Sequence, residues 1–142
     1  MTLERAIQIA VEAHAGQIDK ANEPYILHPL RVMFDVQGED ARIVAVLHDV
    51  VEDCEGWSLG RLKDEGFSPA VLEALETVTK RDDDEDYMEF IERAGANEIG
   101  RRVKMADLID NMDMSRIAAP TERDHQRIAK YERALTYLKL GL

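Results

Sequence analysis

Apolar residues recur every three or four positions along most of this chain, and no segment shows the strict alternation of a half-buried strand. Leu3, Ala6, Ile7, Ala10, Val11 and His14 mark a first helix that frays by Gly16. A loop through Asn22 and Pro24 leads to a short second helix reaching about Val36. Pro29 suits its first position, where an N–H would have no intrahelical partner, and His28 then stands at its mouth. From about Asp40 to Asp53, the residues Ile43, Val44, Val46, Leu47, Val50 and Val51 cover most of a helical circumference, which predicts a central, largely buried third helix. Ser68-Pro69 opens a fourth, with Val71, Leu72, Leu75 and Val78, and Tyr87, Phe90, Ile91 and Ala94 mark a fifth. A sixth runs from about Asn97 to Met114 with Ile99, Val103, Ala106 and Ile109 inward. Thr121 and Asp124 make a capping-box-like start to a last helix carrying Ile128, Tyr131, Leu135 and Leu138. The expected fold is all-α, a single helical bundle over residues 1–142.

Composition narrows the function classes. Eighteen basic against 29 acidic side chains leave a net charge of -11, which argues against a general grip on nucleic acid, since phosphate-backbone binding draws on basic surface. The single cysteine, Cys54, excludes an internal disulfide and any cysteine-rich zinc module. No run approaches the ~18 consecutive apolar residues that span a bilayer. The start, Met1-Thr2-Leu3-Glu4-Arg5, lacks the basic-then-apolar pattern of a secretory leader. A soluble cytoplasmic protein is expected. The run Lys80-Arg81-Asp82-Asp83-Asp84-Glu85-Asp86 reads as a solvated loop, because consecutive acids have no helical framework to aim them at one point.

The chemistry concentrates in the third helix. His48, Asp49, Glu52 and Asp53 span an arc of roughly 140° on an otherwise apolar helix. An ionised carboxylate in a dry interior costs several kcal/mol unless compensated. A solvent-exposed face is one explanation for such a stripe; a divalent metal, which supplies the compensating charge, is the other. His28 upstream and Asp107 downstream, the latter among Val103, Met105, Ala106 and Leu108, favour the metal. Two imidazoles and two carboxylates form a mixed N/O set suited to Mn, Fe, Zn or Mg. Four such ligands on an octahedral ion leave two positions for water or phosphate oxygens.

The order His, His-Asp, Asp resembles that of the HD-domain metal-dependent phosphohydrolases, and more narrowly the hydrolase domain of the RelA/SpoT-type alarmone hydrolases and their small single-domain relatives. The matching stretches are His14-Ala15-Gly16-Gln17, Pro24-Tyr25-Ile26-Leu27-His28-Pro29-Leu30, Leu47-His48-Asp49-Val50-Val51-Glu52-Asp53 and Val103-Lys104-Met105-Ala106-Asp107-Leu108-Ile109-Asp110-Asn111-Met112. The resemblance implies an HD-type bundle with His28, His48, Asp49 and Asp107 as metal ligands, Mn2+ being the ion most expected. It makes Glu52 and Asp53 the acid pair handling the nucleophilic water, and it places Lys20, Asn111, Arg127 and Tyr131 against the substrate. That substrate is a small phosphorylated molecule, expected to be a nucleotide such as guanosine tetra- or pentaphosphate cleaved at its 3′-pyrophosphate. Hydrolysis of another nucleotide or phosphorylated metabolite, or nucleotide binding without turnover, are the other readings. A homo-oligomer is compatible with either.

Two positions depart from the alarmone-hydrolase pattern. Asp19 stands where an arginine is usual and Asn22 where a glycine is. An acid there removes a planar cation able to stack on a purine and adds repulsion toward polyphosphate. Other residues carry open alternatives. Tyr131 suits core packing or substrate contact, and Arg127 suits a salt bridge or substrate contact. Lys104 is a charge partner behind the site or a surface lysine. Met33, Phe34 and Val36 are core or a dimer face. His14 reads as a hydrogen-bonded structural histidine, and Cys54 as packing behind the metal-bearing helix.

Overall fold

Capping side chains decide where most of the helices begin. In the computed structural model, which describes residues 1–140, Thr2 accepts the Arg5 N–H to open α1 (Leu3–Ala13). Ser58 opens α5 (Leu59–Asp64) and Ser68, followed by Pro69, opens α6 (Pro69–Thr77). Asp86 caps α7 (Tyr87–Gly95) and Asn97 caps α8 (Glu98–Asn111). Thr121 and Asp124 form a reciprocal capping box at α9 (Glu122–Lys139). Between them lie α2 (Leu27–Phe34), α3 (Glu39–Leu47) and the single turn α4 (Val50–Asp53), with a 3-10 turn at Met114–Arg116. Among the described residues there is no strand, only an isolated antiparallel bridge between Ile18 and Pro24. The fold is all-α. Among the described residues no helix is long and apolar enough to cross a membrane.

α3 is the hub. It packs on α1, α2, α6 and α8, and Ile43, Val44, Ala45, Val46 and Leu47 are all buried. The main core gathers α1, α2, α3 and α6 together with Val103 and Ala106 of α8. A second cluster, Ile91, Leu108, Ala134, Leu135 and Leu138, ties α7 and α9 to the far side of α8. α8 therefore stands between two apolar clusters and beside α2 and α3, which is where a polar site can be shielded from water on several sides.

Several boundaries differ from the sequence expectation, each for a local reason. The third helix does not run unbroken to Asp53. The His48 ring takes the Ala45 carbonyl at 2.6 Å, and the His48 N–H closes on the same oxygen. A continuing α-helix would offer that carbonyl to Asp49, so the chain turns at His48-Asp49 before α4 resumes. α2 begins at Leu27, which puts His28 and Pro29 inside its first turn rather than Pro29 at its first position. Pro29 is tolerated there because first-turn N–H groups have no intrahelical acceptor. α2 ends at Phe34, and α8 ends at Asn111 rather than Met114. Ile109 is 50% exposed, not inward, because Ala106, Asp107 and Asp110 hold the buried face of that turn. The helix α5 was not expected at all. Met33 and Val36 are core, whereas Phe34 is 75% exposed.

Candidate active site

Three segments bring the site together: the first turn of α2 with His28, the α3–α4 junction with His48, Asp49, Glu52 and Asp53, and the second half of α8 with Asp107. Asp107 Oδ1 lies 2.9 Å from His28 Nε2 and 3.3 Å from His48 Nε2. Asp49 Oδ2 lies 3.1 Å from His48 Nε2 and 3.6 Å from His28 Nε2. All four expected ligands therefore turn polar atoms toward one small volume, although they come from positions as far apart as 28 and 107. His28, His48 and Asp107 are buried.

The donor set fits a divalent cation, on grounds internal to this structure. His28 Nδ1 sits 2.6 Å from Asp110 Oδ2 and His48 Nδ1 sits 2.6 Å from the Ala45 carbonyl. Each Nδ1 faces an obligate acceptor and so carries the proton, which leaves both Nε2 lone pairs for the shared centre. Without a cation, each Nε2 can meet its carboxylates only by holding a second proton. The charge balance reflects that conflict. Burial disfavours a charged ring at His28 and at His48, yet the Asp107, Asp110 and Asp49 carboxylates outweigh it and raise both imidazoles above their ordinary value. Burial likewise opposes ionisation of Asp49 and Asp107. Asp49 is nevertheless pulled down to about 2, chiefly by His48, and Asp107 is held well below the usual range by Lys104 and the two imidazoles.

Hydrogen bonds divide the carboxylate oxygens between roles. Lys104 Nζ donates to Asp107 Oδ2 at 2.9 Å, which leaves Oδ1 for the centre, and Asn111 Nδ2 donates to that Oδ1 at 3.0 Å. Lys104 is thus the charge partner behind the site, not a surface lysine. The Tyr25 hydroxyl donates to Asp49 Oδ2 at 2.6 Å. Asp110, reached from His28, is gripped by Arg31 through Nε at 2.7 Å and Nη2 at 3.1 Å. Tyr25, Arg31 and Asp110 escaped the sequence reading. Asp110 sits at i+3 from Asp107, so helical phase alone places it on the same face, but nothing in one sequence distinguishes it from a surface acid.

Glu52 and Asp53 flank the centre, with one oxygen of each and one of Asp49 all within 4.8 Å of one another. Glu52 Oε1 accepts the Lys80 backbone N–H at 2.7 Å, so the acidic loop after α6 orients it. The Asp53 carboxyl is pushed up to about 6 by partial burial and by the Asp49 and Glu52 charges.

Lys20, Asn111, Arg127 and Tyr131 all line one cavity of about 470 Å³ that reaches His28. Arg127 forms the salt bridge of the first alternative, pairing with Asp124 at 2.9 Å, and it also lines that space. Tyr131 is partly buried against the second apolar cluster and also lines it. Arg31 and Arg116 add cations to the wall. Asp19 lines it too, but its Oδ1 accepts the N–H groups of Ala21 and Glu23 at 2.8 and 3.0 Å, which closes the loop. Asn22 has φ 63, the left-handed region that glycine adopts freely and asparagine tolerates best among the other residues. Its departure from glycine is therefore structurally mild. His14 bonds Gln17 Oε1 at 2.8 Å and packs beside Cys54, with burial lowering its pKa. Both are buried, and His14 is hydrogen-bonded through Nδ1, as expected, while its Nε2 has no partner among the described residues. Most of the acidic run is exposed, except that Glu85 is drawn in by Arg93 at 2.9 Å.

No family model matches the chain. Curated proteins do. The chain is 31% identical over 133 residues, 85% of its length, to a probable GTP pyrophosphokinase of Mycobacterium leprae. It is 31% identical over 121 residues, 78% of its length, to the guanosine-3′,5′-bis(diphosphate) 3′-pyrophosphohydrolase of Aquifex aeolicus, and 30% identical over 142 aligned positions, 89% of its length, to the protein of that name in Borreliella burgdorferi. The chain is a RelA/SpoT relative. These matches cover only 17%, 17% and 20% of the three proteins, so the RelA/SpoT relationship extends to a fraction of each. Some RelA/SpoT relatives are named for making the nucleotide and others for hydrolysing it.

Proposed function

We propose that this protein is a metal-dependent phosphohydrolase that removes a phosphate or pyrophosphate group from a nucleotide. The convergence of His28 Nε2, His48 Nε2, Asp49 Oδ2 and Asp107 Oδ1 carries the reading. Those four residues would hold the ion. When bound, a divalent cation supplies Lewis-acid polarisation of a phosphoryl oxygen and a water made more acidic, toward a pKa of ~7. Mn2+ is the first ion to test, given the mixed N/O donors.

The chain's own residues supply the remaining roles. Asp53, with its pKa raised to about 6 and its side chain free of hydrogen bonds among the described residues, is placed to take the proton of the attacking water. Glu52, tethered by the Lys80 amide, orients that water. The water oxygen bonds to phosphorus as the bond from phosphorus to the nucleoside-side oxygen breaks, and that oxygen leaves with the proton that Asp53 took from the water. Lys20, Arg31, Arg116 and Arg127 offset the repulsion between an acidic chain and an anionic substrate in the adjoining cavity. The names of the relatives support guanosine 3′,5′-bis(diphosphate) as substrate. Asp19 at the cavity wall favours testing other nucleotides beside it.

The test is a chromatographic and phosphate-release screen of purified protein with Mn2+ across nucleotides, including guanosine 3′,5′-bis(diphosphate). Turnover that disappears in folded His48→Ala and Asp49→Ala variants is the expected result. Turnover unchanged by those substitutions overturns the site, and tight nucleotide binding without turnover under any metal overturns the catalytic reading.

A further inference from the structure

Arg93, in the last turn of α7, spends all three guanidinium nitrogens on the end of α6 and the loop that follows it. Nη1 donates to the Glu76 carbonyl and Nη2 to the Thr79 carbonyl at 3.0 Å, where the helix has run out of N–H partners. Nε and Nη2 also grip the Glu85 carboxylate, at 3.2 and 2.9 Å. Glu85 Oε1 in turn accepts the Arg81 N–H at 2.8 Å. Arg93 and Glu85 are largely buried, although the acids around Glu85 in the run 82–86 are exposed. Between these two anchors lies Lys80, whose N–H donates to Glu52 Oε1 at 2.7 Å. The Thr79 carbonyl and the Lys80 N–H belong to one peptide unit. That unit is planar and trans, so its C=O and N–H point in opposite directions and cannot turn independently. A carbonyl held on Arg93 therefore decides where the N–H points. Donation to that carbonyl also polarises the N–H and strengthens its bond to a carboxylate.

We propose that Arg93 is a positioning residue for the reaction: through the Thr79–Lys80 peptide it aims the Glu52 carboxylate, and Glu85 holds Arg93 in place. The proposal rests on the phosphohydrolase reading for what Glu52 does. Glu52 is exposed on the single turn α4 and accepts no hydrogen bond from its own helix, so its rotamer has to be chosen from outside. The Lys80 amide makes that choice, and it occupies Oε1 while leaving Oε2 for the water. A loop amide is only as well aimed as its peptide, which is what Arg93 fixes. Thr79 and Lys80 line a second cavity, of about 660 Å³, together with Glu52 and Asp53. Arg93 and Glu85 line neither this cavity nor the one that holds Lys20, Asn111, Arg127 and Tyr131. Their influence therefore falls on the attacking water and not on substrate affinity.

Hydrogen exchange of the Lys80 amide, read beside steady-state kinetics on whichever nucleotide the wild type hydrolyses with Mn2+, tests this. In the wild type the Lys80 amide should be protected. Exchange at the rate of an unfolded chain overturns the proposal, and that measurement needs no variant. Arg93→Lys keeps a charge against Glu85 but cannot place three N–H groups, so Lys80 protection should fall about tenfold. Its kcat should fall about tenfold or more, with KM within about twofold. Arg93→Met alone strands a buried carboxylate, so it is combined with Glu85→Met, and this double variant should show the same two losses. A folded variant with unchanged kcat overturns the proposal, whatever its protection. So does a kcat loss from Arg93→Lys that is as large in a Glu52→Ala chain as in the wild type, since a merely structural role adds to the loss of Glu52 and a positioning role does not. If the wild type turns over no nucleotide, the phosphohydrolase reading fails. Lys80 protection that still falls in the Arg93 variants then leaves the hold of Arg93 on the peptide standing, and protection that does not fall removes that as well.

Discussion

Replacing Asp110 by asparagine separates the ligands from the residue that aims one of them. Asp110 is 8% exposed, with Oδ2 2.6 Å from His28 Nδ1 and Oδ1 2.7 Å from Arg31 Nε. Asparagine keeps the shape and one acceptor oxygen but drops the charge. His28 then loses the carboxylate that holds its Nδ1 proton and strengthens Nε2 as a lone-pair donor. Partners of this kind are worth about 10–100-fold in metal affinity, or about 1.4–2.7 kcal/mol. The fork to Arg31 is lost as well. The Arg31 side chain is 31% exposed, so water replaces part of that bond, and the folding cost is about 1–2 kcal/mol rather than the 3–5 of a fully buried pair. Calorimetric titration of Mn2+ reads the affinity, and a thermal melt of the metal-free protein reads the stability. A folded Asp110→Asn protein that binds Mn2+ within twofold of the wild type would refute the claim that Asp110 aims His28.

Three further outcomes are expected. Burial pushes the Asp110 carboxyl up, but the His28 and Arg31 bonds outweigh it and hold it at about 2 against an ordinary 3.8. A depressed folded-state value gives stability that is complete above the unfolded value and lost on acidification, so the penalty of Asp110→Asn in metal-free melts should shrink from about 1–2 kcal/mol at pH 6 toward zero near pH 2; a penalty independent of pH argues that the ion pair contributes nothing. Gly100→Ala, which in an open helix gains up to about 1 kcal/mol, should here destabilise by about 1–3 kcal/mol, because the new Cβ would fall on Thr77 Oγ1 and lie 3.1 Å from the Ala94 carbonyl; an unchanged or raised Tm contradicts this. Thr121→Ala removes half of the capping box on the helix that carries Arg127 and Tyr131 and should cost about 1 kcal/mol, read as a lower urea midpoint with an unchanged slope; an unaltered midpoint means the cap is idle.

Much of this molecule was legible in its residues alone. Periodicity and caps located α1, α6, α7, α8 and α9, because those helices take their start signals from local side chains and their phase from one apolar face. The four residues that converge on the centre were legible as well, since an imidazole and carboxylates in otherwise apolar surroundings are costly without a purpose. The same polar residues caused the errors. Ile109 looked inward because apolar residues ordinarily take the buried face, but Asp107 and Asp110 occupy that face. The third helix looked continuous because propensity does not register a histidine ring capturing the Ala45 carbonyl.

What tertiary structure alone decided was which charges meet. Asp110 acquired its place from Arg31 and His28, some 80 positions away in sequence, and Tyr25 its place from Asp49. Lys80 came beside Glu52 through a backbone amide, a contact that side-chain pattern does not encode. The physical reason is range: helix formation and capping act over about four residues, whereas the pairing of buried charges depends on which helices pack together, and that is settled by the apolar faces of the whole chain at once.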